Sequence, residues 1–298
     1  MESNIIVQLL PAALAIVMMG LGLELRISDF TRVAQHPKAV ITALVCQLFI
    51  LTGLAFVLTQ LLDLPPLLAV GMMLLAASPG GVTANLYSFL FRGDVALNIT
   101  LTAINSILAA FTLPLIVNWA SRYFLNSDEQ LSLQFSKVLQ VFAIVIVPVA
   151  IGMVVRHYAP NFARRMDKPV RVFSVVLLAL LILGALFQEK DHVVEYLVQV
   201  GTATSLFCIL SLCVGYVVPR LLGITEAQAR ASAFEIGIHN GTLALTIALS
   251  LMNNMTVAIP AAVYSMFMFI YAAIFGLIIS KGKFNKTVPV PTTSMHKS

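Results

Sequence analysis

Long apolar stretches separated by short charged segments run through almost the whole chain. Of its 298 residues, 59% are hydrophobic and only 10% are charged, whereas a soluble domain carries charge on about 25% of its residues. Many of these stretches reach the length of about 20 residues that an α-helix needs to cross the hydrocarbon core of a bilayer. The sequence therefore predicts an all-α polytopic membrane protein that is surrounded by lipid.

The apolar stretches predict nine transmembrane helices. Their approximate limits are 5–24, 39–61, 66–91, 95–118, 137–155, 172–188, 196–218, 231–254 and 257–280. We expect residues 1–280 to form one membrane unit. Residues 281–298 are polar and basic and contain Pro289 and Pro291, which predicts a flexible tail.

The basic residues predict the orientation in the membrane. With the N-terminus outside, all but three of the 18 Lys and Arg residues fall in inside segments. The three that remain outside are Arg122, Lys137 and Lys190. Because inside segments carry the excess of positive charge, we expect a plasma (inner) membrane protein with a cytoplasmic C-terminal tail. The net charge of +5 follows from this topology and does not indicate a nucleic-acid partner.

Two of the predicted spans are interrupted by residues that weaken a helix. Span 3 contains Ser78-Pro79-Gly80-Gly81, and span 8 contains the string Glu235-Ile236-Gly237-Ile238-His239-Asn240-Gly241. Proline removes a backbone donor, and glycine lowers the cost of non-helical torsions. Spans 1–4 and 6–9 enter the membrane in opposite directions, and the third member of each group is the interrupted one. Such matched interruptions in inverted halves are typical of the binding site of a transporter, although a proline kink with glycine packing remains the alternative.

Glu235 is the acidic side chain that these spans place at mid-membrane depth. A carboxylate there is expensive unless it is paired, coordinated or hydrated, which indicates a functional site. Glu235 and His239 share a face if the helix is intact. They could then form a structural pair. An i, i+4 Glu–His pair can also hold zinc, but no further His or Cys cluster supports a zinc site. In the interpretation that we favour, Glu235 neutralises a bound cation.

Neutral oxygen donors occupy other predicted spans at similar depth. These are the amides of Gln47, Asn85, Asn98 and Asn105 and the hydroxyl of Thr102. Each alone is more often a contact between helices. Together with Glu235 they predict an oxygen cage for a sodium-sized ion. The sequence contains no phosphate-binding loop, nucleophile elbow or zinc-protease motif, so we expect neither an enzyme nor an ATP-driven pump.

At these residues the chain resembles the bile acid:sodium symporter family, whose bacterial members take up small organic anions. The resemblance runs from about Met18 to Ser280. It is carried by Gln47, Ser78-Pro79-Gly80-Gly81, Asn85, Arg92-Gly93, Val95-Ala96-Leu97, Thr102 and Glu235-Ile236-Gly237. It implies two crossing discontinuous helices, spans 3 and 8, in a core domain of spans 2–4 and 7–9. It also implies a panel domain of spans 1, 5 and 6.

The resemblance also implies two sodium sites. The first falls on Asn85, Asn98, Thr102 and Glu235. The second falls on Gln47, Glu235, the carbonyls of Ile236 and Ile238, and His239. Asn240 lies at the position expected to help hold substrate. The carboxylate of the anion is expected at the half-helix N-termini near the crossing, beside Gly80, Gly81 and Thr83.

The chain departs from the family pattern at three places. His239 stands where Gln is expected, Ala84 stands where a hydroxyl is expected, and Phe267-Met268-Phe269 replaces polar residues on the substrate side. An unperturbed histidine titrates near pH ~6.5, so a protonated His239 could replace the second sodium.

We therefore expect a sodium-coupled, alternating-access importer of a small carboxylate. The alternatives are partial proton coupling through His239, a cation/proton antiporter, and a membrane enzyme or receptor. The antiporter would call for a second acidic residue at mid-depth. The enzyme or receptor would call for a nucleophile–base set or a soluble domain. The identity of the anion, the number of coupled ions and the oligomeric state stay open.

Overall fold

The computed structural model describes residues 3–125, 135–188 and 193–281, and the regular structure in these ranges is helical. Its α-helices, numbered α1 to α13 in chain order, are Ser3–Glu24, Ile27–Thr31, Pro37–Val45, Thr52–Leu61, Pro66–Ala77, Val82–Leu90, Val95–Phe124, Phe135–Tyr158, Pro160–Gln188, Val193–Leu221, Glu226–Gly237, Gly241–Thr246 and Met255–Ile279. A 3₁₀ turn spans Arg32–Ala34. Two π-helical turns, Cys46–Leu51 and Ile247–Leu251, continue α3 into α4 and extend α12.

Several of these helices have the length and composition of membrane spans. In the described part of the chain, four qualify fully: Pro37–Leu61, Val95–Phe124, Val200–Leu221 and Met255–Ile279. Shorter apolar helices include Pro66–Ala77 and Gly241–Leu251, which belong to the two interrupted spans. The chain is an all-α, multi-pass membrane protein, and the count of nine spans stays a prediction. The predicted tail lies outside the described residues, apart from Lys281.

One predicted boundary differs clearly from the helices. The sixth predicted span begins at residue 172, but α9 already begins at Pro160. Proline is tolerated in the first helical turn, where its missing N–H has no intrahelical role. The charged residues that follow, such as Arg164 and Arg165, are exposed. Hydropathy marks where a helix meets lipid, whereas the helix itself continues through these charged residues.

Both predicted interruptions are breaks between helices. The first separates α5, which ends at Ala77, from α6, which begins at Val82. The second separates α11, which ends at Gly237, from α12, which begins at Gly241. The breaks therefore occupy only a few residues each, and each is continued by helix on both sides.

Helices α1 and α8 pack through glycine. A Cβ at Gly22 would overlap the carbonyl oxygen of Val149, and one at Gly152 would overlap the carbonyl oxygen of Met19. Small residues allow such close approach of backbones in membranes. Helix α9 packs against the same two helices, so α1, α8 and α9 form one group.

We predict that Gly152→Ala lowers the melting temperature of the detergent-purified protein. The added methyl has no space between α1 and α8, and overpacking costs about 1–3 kcal/mol. Fluorescence-monitored thermal unfolding measures the effect. Gly201→Ala is the matched control, because a Cβ there meets nothing within 4 Å. Equal melting temperatures for the two variants would contradict the tight α1–α8 contact.

Arg230 ties together three helix ends at one end of the bundle. Its guanidinium donates to the carbonyl oxygens of Phe91, after α6, and Ile279, at the end of α13, both at 3.0 Å. It also pairs with Glu226 at 3.0 Å. Partial burial opposes ionisation of Glu226. The hydrogen bonds from Tyr216 and Arg230 and the charges of Arg230 and Arg220 outweigh it and hold the pKa of Glu226 below its usual value. Positive charge at helix C-termini is stabilising, so Arg230 holds the C-terminal ends of α6 and α13 against the start of α11.

Candidate ion and substrate site

The two helix breaks pair with each other in antiparallel fashion. The Gly81 amide donates to the Ile238 carbonyl at 2.9 Å, and the Asn240 amide donates to the Pro79 carbonyl at 2.8 Å. These bonds satisfy backbone groups that the breaks release from the helices, as membrane depth requires. The crossing is thus a hydrogen-bonded joint between the two interrupted helices.

The carboxylate of Glu235 lies next to this joint and is fully buried. Its two oxygens accept hydrogen bonds from the Thr102 hydroxyl at 2.5 Å and the Asn105 amide at 3.1 Å. The backbone of Gly80 lies against the same carboxylate, because a Cβ on Gly80 would come within 2.5 Å of both oxygens. In the described chain no Lys or Arg lies within ion-pair distance of Glu235. The negative charge is held by neutral donors alone, which leaves it available to a cation.

Glycine serves a different purpose at the crossing than the sequence suggests. The sequence predicts that glycine relieves non-helical torsions, but among the described glycines only Gly223 has a positive φ. A Cβ on Gly80 would instead overlap the Glu235 carboxylate, and one on Gly237 would overlap Leu212. Glycine is therefore required at these two positions because a side chain would have no space there, and at Gly80 its absence lets the backbone approach the carboxylate closely.

Among the described residues, several buried side-chain atoms have no hydrogen-bond partner, and four of these acceptors belong to residues at the breaks or in contact with Glu235 or the first break. These four are Gln47 Oε1, Asn85 Oδ1, Asn105 Oδ1 and His239 Nε2. An unpaired buried polar atom costs about 1–3 kcal/mol, and such atoms are rare in a folded protein. Three of the four are amide oxygens, the ligand type that hard cations prefer. The donor types around Glu235 therefore suit a hard cation such as sodium.

Gln47 is held in the π-helical turn Cys46–Leu51, a feature frequent at functional sites. Its amide nitrogen donates to the carbonyl oxygens of Ala76 at 3.3 Å and Ser78 at 3.1 Å, at the end of α5. These bonds orient the side chain so that the amide oxygen is the atom left unpaired. Gln47 thus reaches the first break from a different span.

His239 contacts the first break and not the Glu235 carboxylate. Its Nδ1 lies 2.9 Å from the Ser78 carbonyl oxygen, which can only accept, so Nδ1 carries the proton and Nε2 is an acceptor in the neutral ring. The ring stacks on Phe207 and meets the edge of Tyr264. The structural Glu–His pair does not form, because α11 ends before His239 and the two side chains leave the shared helical face.

The carbonyls expected at the second ion site differ in their partners. The Ile238 carbonyl accepts from Gly81, which leaves one lone pair. The Ile236 carbonyl loses its helical donor, because the Asn240 amide turns to Pro79.

Asn98, expected at the first site, donates to the Ser88 hydroxyl at 2.6 Å and to the Ala231 carbonyl at 2.9 Å. These donations direct the Asn98 amide oxygen toward Thr102, 3.5 Å away.

A cavity of about 100 Å³ lies between α1 and the crossing. The expected substrate residues Gly80, Thr83 and Asn240 line it, and His239 contributes as well. Gly81 lies beside it, close to the His239 carbonyl. The Asn240 side-chain oxygen caps α12 by accepting from the Leu243 amide at 3.0 Å, which turns its NH₂ group into the donor left for a ligand.

Comparison with known proteins identifies the family of the chain. The model of the sodium bile acid symporter family matches residues 11–196, more than half of the chain. The chain belongs to this family. The predicted resemblance is thereby confirmed.

Three curated relatives illustrate the range of the family. The chain is 27% identical to the human ileal sodium/bile acid cotransporter over 92% of this chain and 79% of that protein. It is 27% identical to the probable sodium/metabolite cotransporter BASS1, chloroplastic, of Arabidopsis thaliana, over 85% of this chain and 62% of that protein. The uncharacterized sodium-dependent transporter YocS of Bacillus subtilis is 25% identical over 85% and 77% of the respective lengths. This chain thus spans less than two thirds of the plant relative. All three relatives are named as transporters, in agreement with the prediction that the chain is not an enzyme.

Some residues that the structure places at the candidate site belong to neither the sodium sites nor the substrate site of the sequence-based prediction. The predicted oxygen cage includes Asn105, but the two sodium sites that the resemblance implies do not, although Asn98, Thr102 and Asn105 follow the i, i+4, i+7 spacing of one helical face. That spacing could have identified it. Phe207 and Tyr264, which hold His239, come from distant helices, and nothing in the local sequence marks them.

Proposed function

We propose that this protein is a sodium-coupled secondary transporter that imports a small organic anion by alternating access. The observation that carries the proposal is the buried carboxylate of Glu235, which no described Lys or Arg pairs with and which lies near unpaired amide oxygens. A cation bound there would satisfy both the charge and the orphaned acceptors. Membership in a family named for sodium symport supports the same conclusion.

We propose Asn85, Asn98, Thr102 and Glu235 as the first sodium site, with Asn105 as an added contributor. The second site would use Gln47, Glu235, His239 and the carbonyls of Ile236 and Ile238. Both share Glu235, whose carboxylate lies against Gly80 in the first break. Sodium binding would therefore hold the crossing in one shape and raise the affinity for the anion. By linkage, the anion must raise the affinity for sodium by the same factor.

The anion would bind in the cavity at the crossing. Helix α6 begins at Val82, and the first N–H groups of a helix lack intrahelical acceptors and favour negative charge. The Thr83 hydroxyl and the Asn240 amide would add donors. Residues 1–280 would form the transporter unit, in which α1, α8 and α9 are the panel and the other spans form the core. We propose a cytoplasmic C-terminal tail and a place in the plasma (inner) membrane.

Sodium itself provides the first test. We expect sodium to raise the melting temperature of the purified protein above that measured in potassium at the same ionic strength. A ligand at about 100 times its dissociation constant adds about 2.7 kcal/mol of stability. The uptake of a small organic anion into proteoliposomes under an imposed sodium gradient completes the test. Identical melting curves, together with uptake that ignores the gradient, would refute the proposal.

Proton coupling through His239 is the second candidate. The unpaired acceptor His239 Nε2 favours it, because either a cation or a proton satisfies such an atom. In this case uptake by the wild type falls as the pH rises from about 5.5 to 8.5, across the usual range of histidine titration. The His239→Gln variant shows a flatter profile and a steeper dependence on sodium. Superimposable pH profiles for the two proteins would show that His239 carries no coupling proton, and sodium would then be the coupling ion.

A further inference from the structure

The cavity at the crossing has one polar wall and one apolar wall. The breaks contribute the polar wall, in which Thr83 and Asn240 carry donors. Helices α1 and α13 contribute the apolar wall, through Met18, Met268 and Phe269 among others. A ligand that fills this space must therefore be polar at one end only.

The charge of the lining limits the charge of the ligand. None of the described residues that line the cavity is Lys, Arg, Asp or Glu. A single carboxylate can face the first N–H groups of α6 and the Asn240 amide. A second carboxylate would face the apolar wall without a partner, which is strongly unfavourable. The lining therefore favours a monoanion.

The apolar wall also limits the size of the ligand. The cavity of about 100 Å³ is well below the 300–1,000 Å³ that is typical for drug-sized ligands. Met18 and Met268 are almost fully buried. Phe269 stacks on Tyr87 with ring centroids 6.3 Å apart, and the Tyr87 hydroxyl donates to the Phe269 carbonyl at 2.9 Å. These contacts fix the wall opposite the donors.

We propose that this cavity selects small monocarboxylates with a short aliphatic tail, and that Met18, Met268 and Phe269 set the upper limit of tail size. This inference rests on the proposed transport of an organic anion at the same site. It narrows the anion to a class that excludes dicarboxylates and sterol acids.

Calorimetric titration of the purified protein in sodium and in choline buffer tests the selection. The probes are isovalerate, octanoate, succinate and cholate. Binding assays avoid the passive permeation of small acids through vesicles. We expect sodium-dependent binding of isovalerate at least about tenfold tighter than that of the other three. Tighter binding of octanoate, succinate or cholate overturns the inference.

Two variants from different helices test the role of the wall. Phe269→Ala and Met18→Ala should raise the affinity for octanoate relative to isovalerate at least about tenfold, with succinate still excluded. Phe275→Ala is the matched control on α13, because its ring packs on Tyr216 away from the cavity. An unchanged ratio in variants that keep the wild-type response to sodium overturns the role of these residues.

The outcomes separate the two levels of the proposal. If sodium does not stabilise the protein and none of the acids binds, the proposed function itself fails. If sodium stabilises the protein but the acids bind in another order, only the selectivity fails.

Discussion

Replacing Glu235 with Gln is expected to reduce sodium-driven uptake at least about 100-fold and to abolish the stabilisation by sodium. The substitution keeps the shape of the side chain and partners for Thr102 and Asn105, but it removes the negative charge that a cation requires. Removing one member of a buried charge pair costs about 3–5 kcal/mol, and every 1.4 kcal/mol is about tenfold in affinity. Melting temperatures in sodium and potassium and uptake under a sodium gradient measure the two effects.

Glu226→Gln is the matched control on the same helix. The Glu226 side chain is 40% exposed and pairs with the exposed Arg220 and with the more buried Arg230. An exposed pair such as Glu226–Arg220 contributes about 0–1 kcal/mol. We expect this variant to keep its response to sodium. Retained sodium stabilisation in Glu235→Gln would show that the cation binds elsewhere.

The second large effect is expected from Gly80→Ala. The added methyl overlaps the Glu235 carboxylate, so the carboxylate must leave its positions at Thr102 and Asn105 or the first break must move. Overpacking costs about 1–3 kcal/mol, and each lost hydrogen bond to a charged group costs about 1.5–3 kcal/mol. We expect uptake and sodium stabilisation to fall together, at least about 100-fold in the case of uptake.

Gly53→Ala separates this effect from the general cost of replacing glycine. Gly53 lies in α4, where a Cβ meets nothing within 4 Å, and alanine is the better helix former. This variant should match or exceed the wild type in stability and should keep its response to sodium. If both glycine variants behave as the wild type does, Gly80 has no role in shaping the site.

Much of the candidate site was accessible from the sequence because charge and helix breakers are conspicuous in apolar spans. Glu235 is conspicuous because a charge is costly in hydrocarbon. The two interruptions are conspicuous because both contain glycine and the first also contains proline. The partners of His239 were not accessible. Its bond to Ser78 and its ring contacts with Phe207 and Tyr264 depend on helices far apart in the chain.

The role of the glycines shows the same limit. Sequence reasoning assigns glycine to unusual torsions, because that property belongs to the residue alone. Whether a glycine is required for space depends on which atoms face it, and at Gly80 these belong to the Glu235 carboxylate in the last turn of α11.

By itself, the sequence determined the membrane class, the two helix breaks and the buried carboxylate, because each follows from the cost of placing polar or non-helical groups in lipid. Only the tertiary structure decided which donors hold Glu235, which acceptors stay unpaired, and which walls enclose the cavity. Those features depend on the packing of side chains from separate helices, and no local pattern encodes that packing.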